Sequence, residues 1–405
     1  MINQNDIDSV SKTNWVFFIG ILKTLCHNTS MKIAIIGGGV SGVTFAINFK
    51  RNHPKDEVYI FEHGDRLLRK LLATGNGKCN IANAGKLEGI YNSTLATRII
   101  SKYDYEYQNK FLDSLNIKTK LVNNLSYPIS ESAVTVRNAF LKEIDKLGIK
   151  TILNSEVLDY QKDGSSYLLK TSEGEYRVDE IIFSTGGKSL PKSGSDGSIL
   201  TILEKHHYQI KEFVPALCPI YTKEKTKLLD GTRVKAKVSV KSDNKIIFNE
   251  DGEVLFKEKG LSGIVIFNAS RIIAHDLNKK YVVELDLLPN VSVEELKVFL
   301  KEHDKNTLLE SYLHPNIAKY LSNMNDDVIK LIKSLTFNFE KLYGFENAQI
   351  SVGGLSLNEV NEYLESKREN GIYFVGEVLD IDAPCGGYNL MWAIGSSLFV
   401  SDNMK

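Results

Sequence analysis

Residues 32–62, KIAIIGGGVSGVTFAINFKRNHPKDEVYIFE, decide the fold. Ile33 to Ile36 form a short apolar run of the kind buried in a parallel sheet, and the glycine turn after it opens a helical pattern. The spacing G-x-G-x-x-G is met by Gly37, Gly39 and Gly42. In that pattern Gly37 permits the tight turn, Gly39 lets a pyrophosphate approach the backbone, and Gly42 lets the helix pack close to the strand. Phosphates then meet free N–H groups and the positive end of the helix. A second strand, EVYIFE, ends in Glu62, twenty residues beyond Gly42. An acid there accepts hydrogen bonds from ribose hydroxyls and argues against a 2′-phosphate. The plain alternative is a glycine turn whose ligand has been lost.

The chain has 405 residues, 42% hydrophobic, with 50 basic and 50 acidic side chains. That balance offers no electrostatic reason to expect a nucleic acid or an anionic membrane. The four cysteines form no C-x-x-C pair, so free thiols in a reducing, cytoplasmic setting are expected. The eight histidines show no ligand spacing, and no metal is expected. Residues 1–30 carry the apolar run WVFFIGILKTL (15–25), too short for the roughly 20 residues of a membrane span. They read as an extension ahead of Met31, with a peripheral anchor as the rival.

Three further stretches bear on a ligand. After Glu62, DRLLRKLL (65–72) suggests a short helix that unwinds into the loop GNGKCNIANA (75–84). A loop so rich in glycine and amides suits a planar, hydrogen-bonding ligand such as a flavin ring, or is a surface turn. A strand from Ile181 to Phe183 runs into Thr185-Gly186-Gly187. Near the C-terminus a strand from Ile372 to Val375 meets Gly376-Glu377, and Gly386-Gly387 opens an apolar helix. A carboxylate at such a strand end can bind ribityl hydroxyls, and a helix start can aim N–H groups at a flavin's pyrimidine edge.

Together these segments resemble the HI0933-like (BaiN/RdsA-type) family of flavoproteins, also described as NAD(P)/FAD-dependent oxidoreductases or aminoacetone-oxidase-like FAD enzymes. The likeness rests on IAIIGGGVSGVTFA, LLRKLLATGNGKCNIANA, LSYPISESAVTV, IIFSTGGKSLPKSGSDG, GEVLFKEKGLSGIVIFNAS, AQISVGGLSLNEV and GIYFVGEVLDIDAPCGGYNLMWA, in order from residue 31 to about 400. The resemblance implies an α/β fold: a Rossmann-like FAD-binding domain of glutathione-reductase type, interrupted by an inserted β-rich and helical domain. It places Gly37, Gly38, Gly39, Ser41 and Gly42 at the pyrophosphate and Glu62 on the adenosine ribose. Lys70, Thr74, Gly75, Gly77, Cys79 and Asn80 then lie along the flavin, and Val157 contacts adenine through its backbone. Thr185, Gly186, Gly376, Glu377 and the helix start Gly387-Tyr388-Asn389 complete the site. Two departures stand out. Gly75-Asn76-Gly77-Lys78 replaces the Gly-Gly-Gly-Arg of many relatives, which removes the planar arginine fork. Lys257 and Lys259 stand where relatives carry Thr-His and a bulky residue, so no histidine serves substrate chemistry there.

The expected organisation is an extension (1–30), a first FAD-binding part (31–190), a substrate-side insertion (191–345) and a second FAD-binding part (346–405). The insertion divides into a β-rich part (212–290), with hairpin turns at SDNK and EDGE, and a helical part (291–343). SVEELKVFLKEH in the latter carries a capping box from Ser292 to Glu295. No second dinucleotide fingerprint follows, so NAD(P)H would dock only transiently at the flavin. Cys79 and Tyr388 are weak candidates for chemistry, each with packing as the alternative. Asp380 and Asp382 are candidates for ribityl binding or proton transfer, and Cys385 stands where relatives carry a small residue. The expected activity is hydride transfer between FAD and a small organic substrate. An oxygen-using amine oxidase and a non-catalytic flavin-binding protein are the alternatives.

Overall fold

The computed structural model describes residues 30–404, so the expected N-terminal extension lies almost wholly outside the described residues. Its centre is a parallel sheet of five strands in the order Ile372–Phe374, Glu180–Phe183, Lys32–Ile36, Glu57–Phe61, Lys150–Ile152. Ile33, Ala34 and Ile35 are fully buried, as a strand covered on both faces requires. The fingerprint helix (Val40–Asn52) packs against the closing helix (Tyr388–Asn403), and Asn48 Nδ2 donates to Ser401 Oγ at 3.0 Å between them. An antiparallel meander, Val157–Asp163, Ser166–Thr171 and Gly174–Val178, completes this part. Phe61 meets Tyr176 edge-on, with ring centroids 4.9 Å apart.

The strands Ile210–Ala216 and Ile350–Leu355 pair antiparallel and carry the chain out to the insertion and back. The insertion is a closed antiparallel barrel ordered Ile220–Thr222, Gly260–Ser262, Lys245–Lys257, Arg233–Ser242, Val282–Asp286, Leu335–Leu342. Its core runs from Ala216 to Val352, whereas the nucleotide-side core runs to Tyr208 and resumes at Leu355. The changeover therefore falls near 209–216 rather than at 190. Ile199 and Leu203 of the helix Ile199–Lys205 belong to the nucleotide-side core.

Three local expectations need correction. SDNK does turn the hairpin, through Asp243 and Asn244 at φ of 49° and 62°. EDGE (250–253) does not turn: it pairs straight with Val238 to Lys235. Its glycine answers a close approach instead, since a Cβ on Gly252 would stand 2.7 Å from Val265 Cβ of the barrel helix Ile264–Ala274. That helix lies inside the part expected to be β-rich. Finally, 291–343 is not helical throughout. After Val293–Phe299, Lys305–Tyr312, Pro315–Ser322 and Val328–Lys333, the chain re-enters the barrel as Leu335–Leu342. The capping box is present, with Ser292 Oγ accepting from Glu295 N–H at 3.1 Å and Glu295 Oε2 accepting from Ser292 N–H at 2.7 Å.

Glu180 opens a central strand with Oε2 buried and unpartnered. Burial, then the charges of Glu365, Asp179 and Asp56, push its carboxyl up to about 8 from an ordinary 4.5. The folded state therefore holds a proton that the unfolded chain has released, so this contribution is full below pH 4.5 and is lost as pH rises through about 8. Glu180→Gln removes the dependence. Thermal midpoints measured between pH 6 and 9 should show the variant gaining on the parent as pH rises, by roughly 3 °C or more at the alkaline end.

Candidate functional site

A cavity of about 1260 Å³ opens at the carboxyl ends of the parallel strands and is closed on its far side by the barrel. Such a crevice is where ligands of open α/β sheets bind. Gly37 to Ser41, Glu62, Ser184 to Gly187 and Glu377 line it from four successive strand ends. Leu217, Glu250, Ile264, Phe267 and Asn268 line it from the insertion.

At the fingerprint, Gly37 has φ of +105°, and a Cβ there would lie 2.7 Å from Ser184 O. Gly42 does not line the cavity; its bare Cα lets the helix approach Gly37 O, 2.2 Å from where a Cβ would be. Gly39 has φ of −75° and nothing within 4 Å of its absent Cβ. The helix it caps has no side-chain cap and no acid in its first turn, so its N–H groups and positive end face the cavity unopposed. Glu62 is clamped, with Oε2 accepting from Gly38 N–H at 2.9 Å and Oε1 from Gly64 N–H at 2.8 Å. Each oxygen keeps a further lone pair for a hydroxyl. Val157, Thr185 and Gly186 also line the cavity, and Thr185 Oγ1 is buried without a partner. An uncapped helix end, an open cradle at Gly39 and an orphan hydroxyl fit a dinucleotide such as FAD.

The other end is built around Glu377. Its Oε2 accepts from Lys70 Nζ at 2.8 Å and its Oε1 from Ser351 N–H at 2.7 Å. The run 65–72 is not a helix: a 3₁₀ turn starts only at Lys70 and breaks at Thr74 (ψ 140°), with Gly75 and Asn76 left-handed at φ of 55° and 54°. The left-handed kink points Thr74, Gly75 and Asn80 to the cavity, while Gly77 stays outside it. With the Asn80 amide turned so that its nitrogen donates to Ala82 O and Ser126 O, its oxygen accepts from Gly387 N–H at 3.2 Å. Asn83 Nδ2 donates to Gly386 O at 2.8 Å. Asn80 and Asn83 thus bracket the start of the closing helix rather than offering free amides to a ligand. Gly387 (φ +90°) and Asn389 line the cavity; Asn389 Oδ1 accepts from Ala383 N–H at 2.9 Å and so braces the preceding loop.

Besides Gly42 and Gly77, four residues expected at the cofactor lie off the cavity. Cys79 is fully buried off the cavity, and burial pushes its thiol up to about 11, which suits packing rather than attack. The ring of Tyr388 packs edge-on to Tyr91 and does not line the cavity; burial raises its hydroxyl pKa. Gly376 is a packing glycine, since a Cβ there would meet Ser41 Oγ at 2.2 Å. Asp382 is 1% exposed and ion-paired with Arg271 of the barrel helix, with His275 Nε2 at 3.3 Å. Burial opposes its charge, but the His275 hydrogen bond and the Arg271 guanidinium hold it below the ordinary carboxylate range. It joins the two parts of the fold instead of touching a ligand. Asp380 does likewise, accepting from Gly353 N–H at 3.1 Å. Residue reading missed the barrel wall altogether, because Glu250 meets Asn268 only where the helix Ile264–Ala274 folds back onto the strand Lys245–Lys257.

The HI0933-like protein Rossmann domain model matches residues 31–403. A 3-dehydro-bile acid delta(4,6)-reductase of Clostridium scindens is 30% identical, over 89% of this chain and 96% of that protein. A ribosomal RNA dihydrouridine synthase of Haemophilus influenzae is 25% identical, over 90% of this chain and 96% of that protein. Among solved structures, the open form of a flavocytochrome c3 fumarate reductase superposes with a TM-score of 0.50 at 15% identity, covering 95% of this chain and 80% of that one, a likeness of fold alone.

Two substitutions separate folding from ligand binding. Gly39→Val meets no atom of the protein and should keep its thermal midpoint while failing to retain FAD on gel filtration. Gly37→Val meets Ser184 in a left-handed conformation and should lose soluble protein altogether. At the junction, Asp382→Ala leaves Arg271 buried without its partner, a loss of about 3–5 kcal/mol that denaturant titration would register.

Proposed function

The chain belongs to the HI0933-like family, and from that premise we propose that it is an FAD-dependent oxidoreductase that saturates a carbon–carbon double bond conjugated to a carbonyl. The observation that carries the proposal is the continuity of the cavity. One chamber runs from the open helix end at Gly39, past Glu377, to an apolar wall made by Leu217, Ile264 and Phe267. A dinucleotide and a flat apolar substrate can therefore meet in it. The names of both relatives describe reduction of ring double bonds, in a 3-dehydro-bile acid and in uridine. The shared half-reaction adds a hydride to one carbon and a proton to the next.

Bound FAD supplies the hydride chemistry. The chain's own residues do the rest. The fingerprint helix start and Glu62 hold the phosphate and ribose end, and Lys70 neutralises Glu377 so that its carboxylate can accept hydroxyls without isolating a charge. The closing helix starts at Tyr388, just after Gly387, and its positive end favours negative charge beside it. Ile264 and Phe267 offer the substrate side an apolar surface.

A small organic substrate is favoured over RNA by the charge on the barrel. Lys235 faces Glu253 and Lys237 faces Asp251 across the hairpin, while Lys241 Nζ pairs with Glu284 at 2.7 Å. Along this hairpin basic and acidic side chains alternate, with Arg233 ion-paired to Glu253, which gives a polyanion no uniform positive edge there. NAD(P)H is proposed as a transient donor, since only one dinucleotide fingerprint is available.

The test is anaerobic. Protein reconstituted with FAD should show flavin bands that NADH or NADPH bleaches and that a 3-oxo-4-ene steroid restores, with the saturated ketone as product. Bands restored only by oxygen, with peroxide released, would make the protein an oxidase; a protein that never takes up FAD would remove the proposal.

A further inference from the structure

Among the carboxyls that line the cavity without a part in holding a dinucleotide, beside Glu156, Asp196 and Glu346, one comes from a barrel strand. Glu250 sits half-buried on the barrel strand Lys245–Lys257 and faces the chamber from the wall opposite the strand ends. Asn268 Nδ2, on the barrel helix, donates to both Glu250 oxygens at 3.1 Å. Asn268 Oδ1 accepts from Cys385 N–H at 2.9 Å, and from Cys385 the chain passes directly through Gly386 and Gly387 into the closing helix. One buried amide therefore fixes this carboxyl relative to the nucleotide wall, although the two come from different parts of the fold.

The surroundings suit an acid rather than a base. Among the described residues no cation pairs with Glu250; burial raises its carboxyl pKa, and only the Asn268 hydrogen bonds work against that. A protonated carboxyl donates a proton, where a carboxylate can only accept, and the burial of Glu250 shifts it toward the protonated form. Its titratable neighbour Cys385 is no substitute, because burial above all pushes that thiol up to about 12. Cys79 and Tyr388 do not face the cavity, and Lys70 is occupied by Glu377.

We propose that Glu250 is the catalytic acid of this site, delivering a proton to the α-carbon of the conjugated double bond whose β-carbon receives the hydride. The inference rests on the double-bond reduction proposed above. The balance closes: the carbon–carbon π bond breaks, one C–H bond forms with the hydride and its electron pair from the reduced flavin, and a second forms with the Glu250 proton. The flavin is left oxidised and Glu250 is left as a carboxylate, which solvent reprotonates.

The test uses FAD-loaded protein reduced with dithionite and mixed anaerobically with two acceptors, androst-4-ene-3,17-dione and 1-nitrocyclohexene. The enone needs a proton at the α-carbon, whereas the nitroalkene takes a hydride to give a stable nitronate without one. Glu250→Gln keeps the shape and one of the two Asn268 hydrogen bonds. It should slow reoxidation by the enone at least about 100-fold, leave reoxidation by the nitroalkene at the parent rate, and let the nitronate accumulate. Enone turnover at the parent rate would overturn the assignment. Equal loss with both acceptors would make Glu250 structural and overturn it as well. If the parent protein is reoxidised by neither acceptor, double-bond reduction itself fails and the assignment falls with it; that result is distinguishable because it appears before any substitution is made.

Discussion

The fold hinges on how closely a helix start can approach two strand ends. At Gly37 and Gly42 the backbone of the fingerprint helix comes so near the first strand that a Cβ on Gly42 would lie 2.2 Å from Gly37 O. Ser184, at the end of the neighbouring strand, donates through Oγ to both Ile36 O and Gly37 O at 2.9 and 2.8 Å. Gly376, at the end of the next strand, leaves room for Ser41. Missing side chains at these positions let the sheet and helix close on one another, and the closure aims the uncapped helix end into the crevice. Interiors pack near crystalline density, so an added methyl group at such a crossing displaces main chain rather than filling a void.

The second constraint is the joint between the barrel and the nucleotide-side fold. Arg271 reaches out of the barrel helix to Asp382, to Asp382 O at 3.1 Å and to Ile90 O at 3.3 Å. A buried pair of this kind adds little net stability over an apolar contact, because desolvation offsets the attraction. What it supplies here is registry: the guanidinium is satisfied in one docking only, the one that places Ile264, Phe267 and Asn268 across from Glu377. Asn268, bonded to Cys385 N–H on one side and to Glu250 on the other, repeats that registry nearer the chamber.

These two constraints divide the labour within one cavity. The strand-end wall is built from main-chain donors, glycines and a clamped carboxylate, all suited to phosphates and hydroxyls. The barrel wall is built from apolar side chains around a carboxyl held by an amide. Binding groups and a proton source are thereby placed on opposite sides of whatever lies between them.

The parallel sheet, the fingerprint helix, Glu62 at a strand end and the closing helix after Gly387 were legible in the sequence, because each depends on local rules: an apolar run, a glycine spacing, a helix start. The loop at 75–84 was legible as a part of the site but not in its manner, since Asn80 and Asn83 turn inward to Gly387 and Gly386, residues about 300 positions away. Asp382 stood as a candidate for ribityl binding or proton transfer, and its burial against Arg271 gives it a different task. EDGE looked like a turn by composition, and a helix pressing on Gly252 kept it straight. Glu250 carried no local signal at all. Sequence by itself determined the fingerprint strand, its glycine turn and helix, and the strand ending at Glu62, where neighbours in the chain are neighbours in space. The tertiary structure alone decided the substrate wall and the joint, because antiparallel barrel register and buried ion pairing bring together residues whose separation in the chain exceeds the reach of any local pattern.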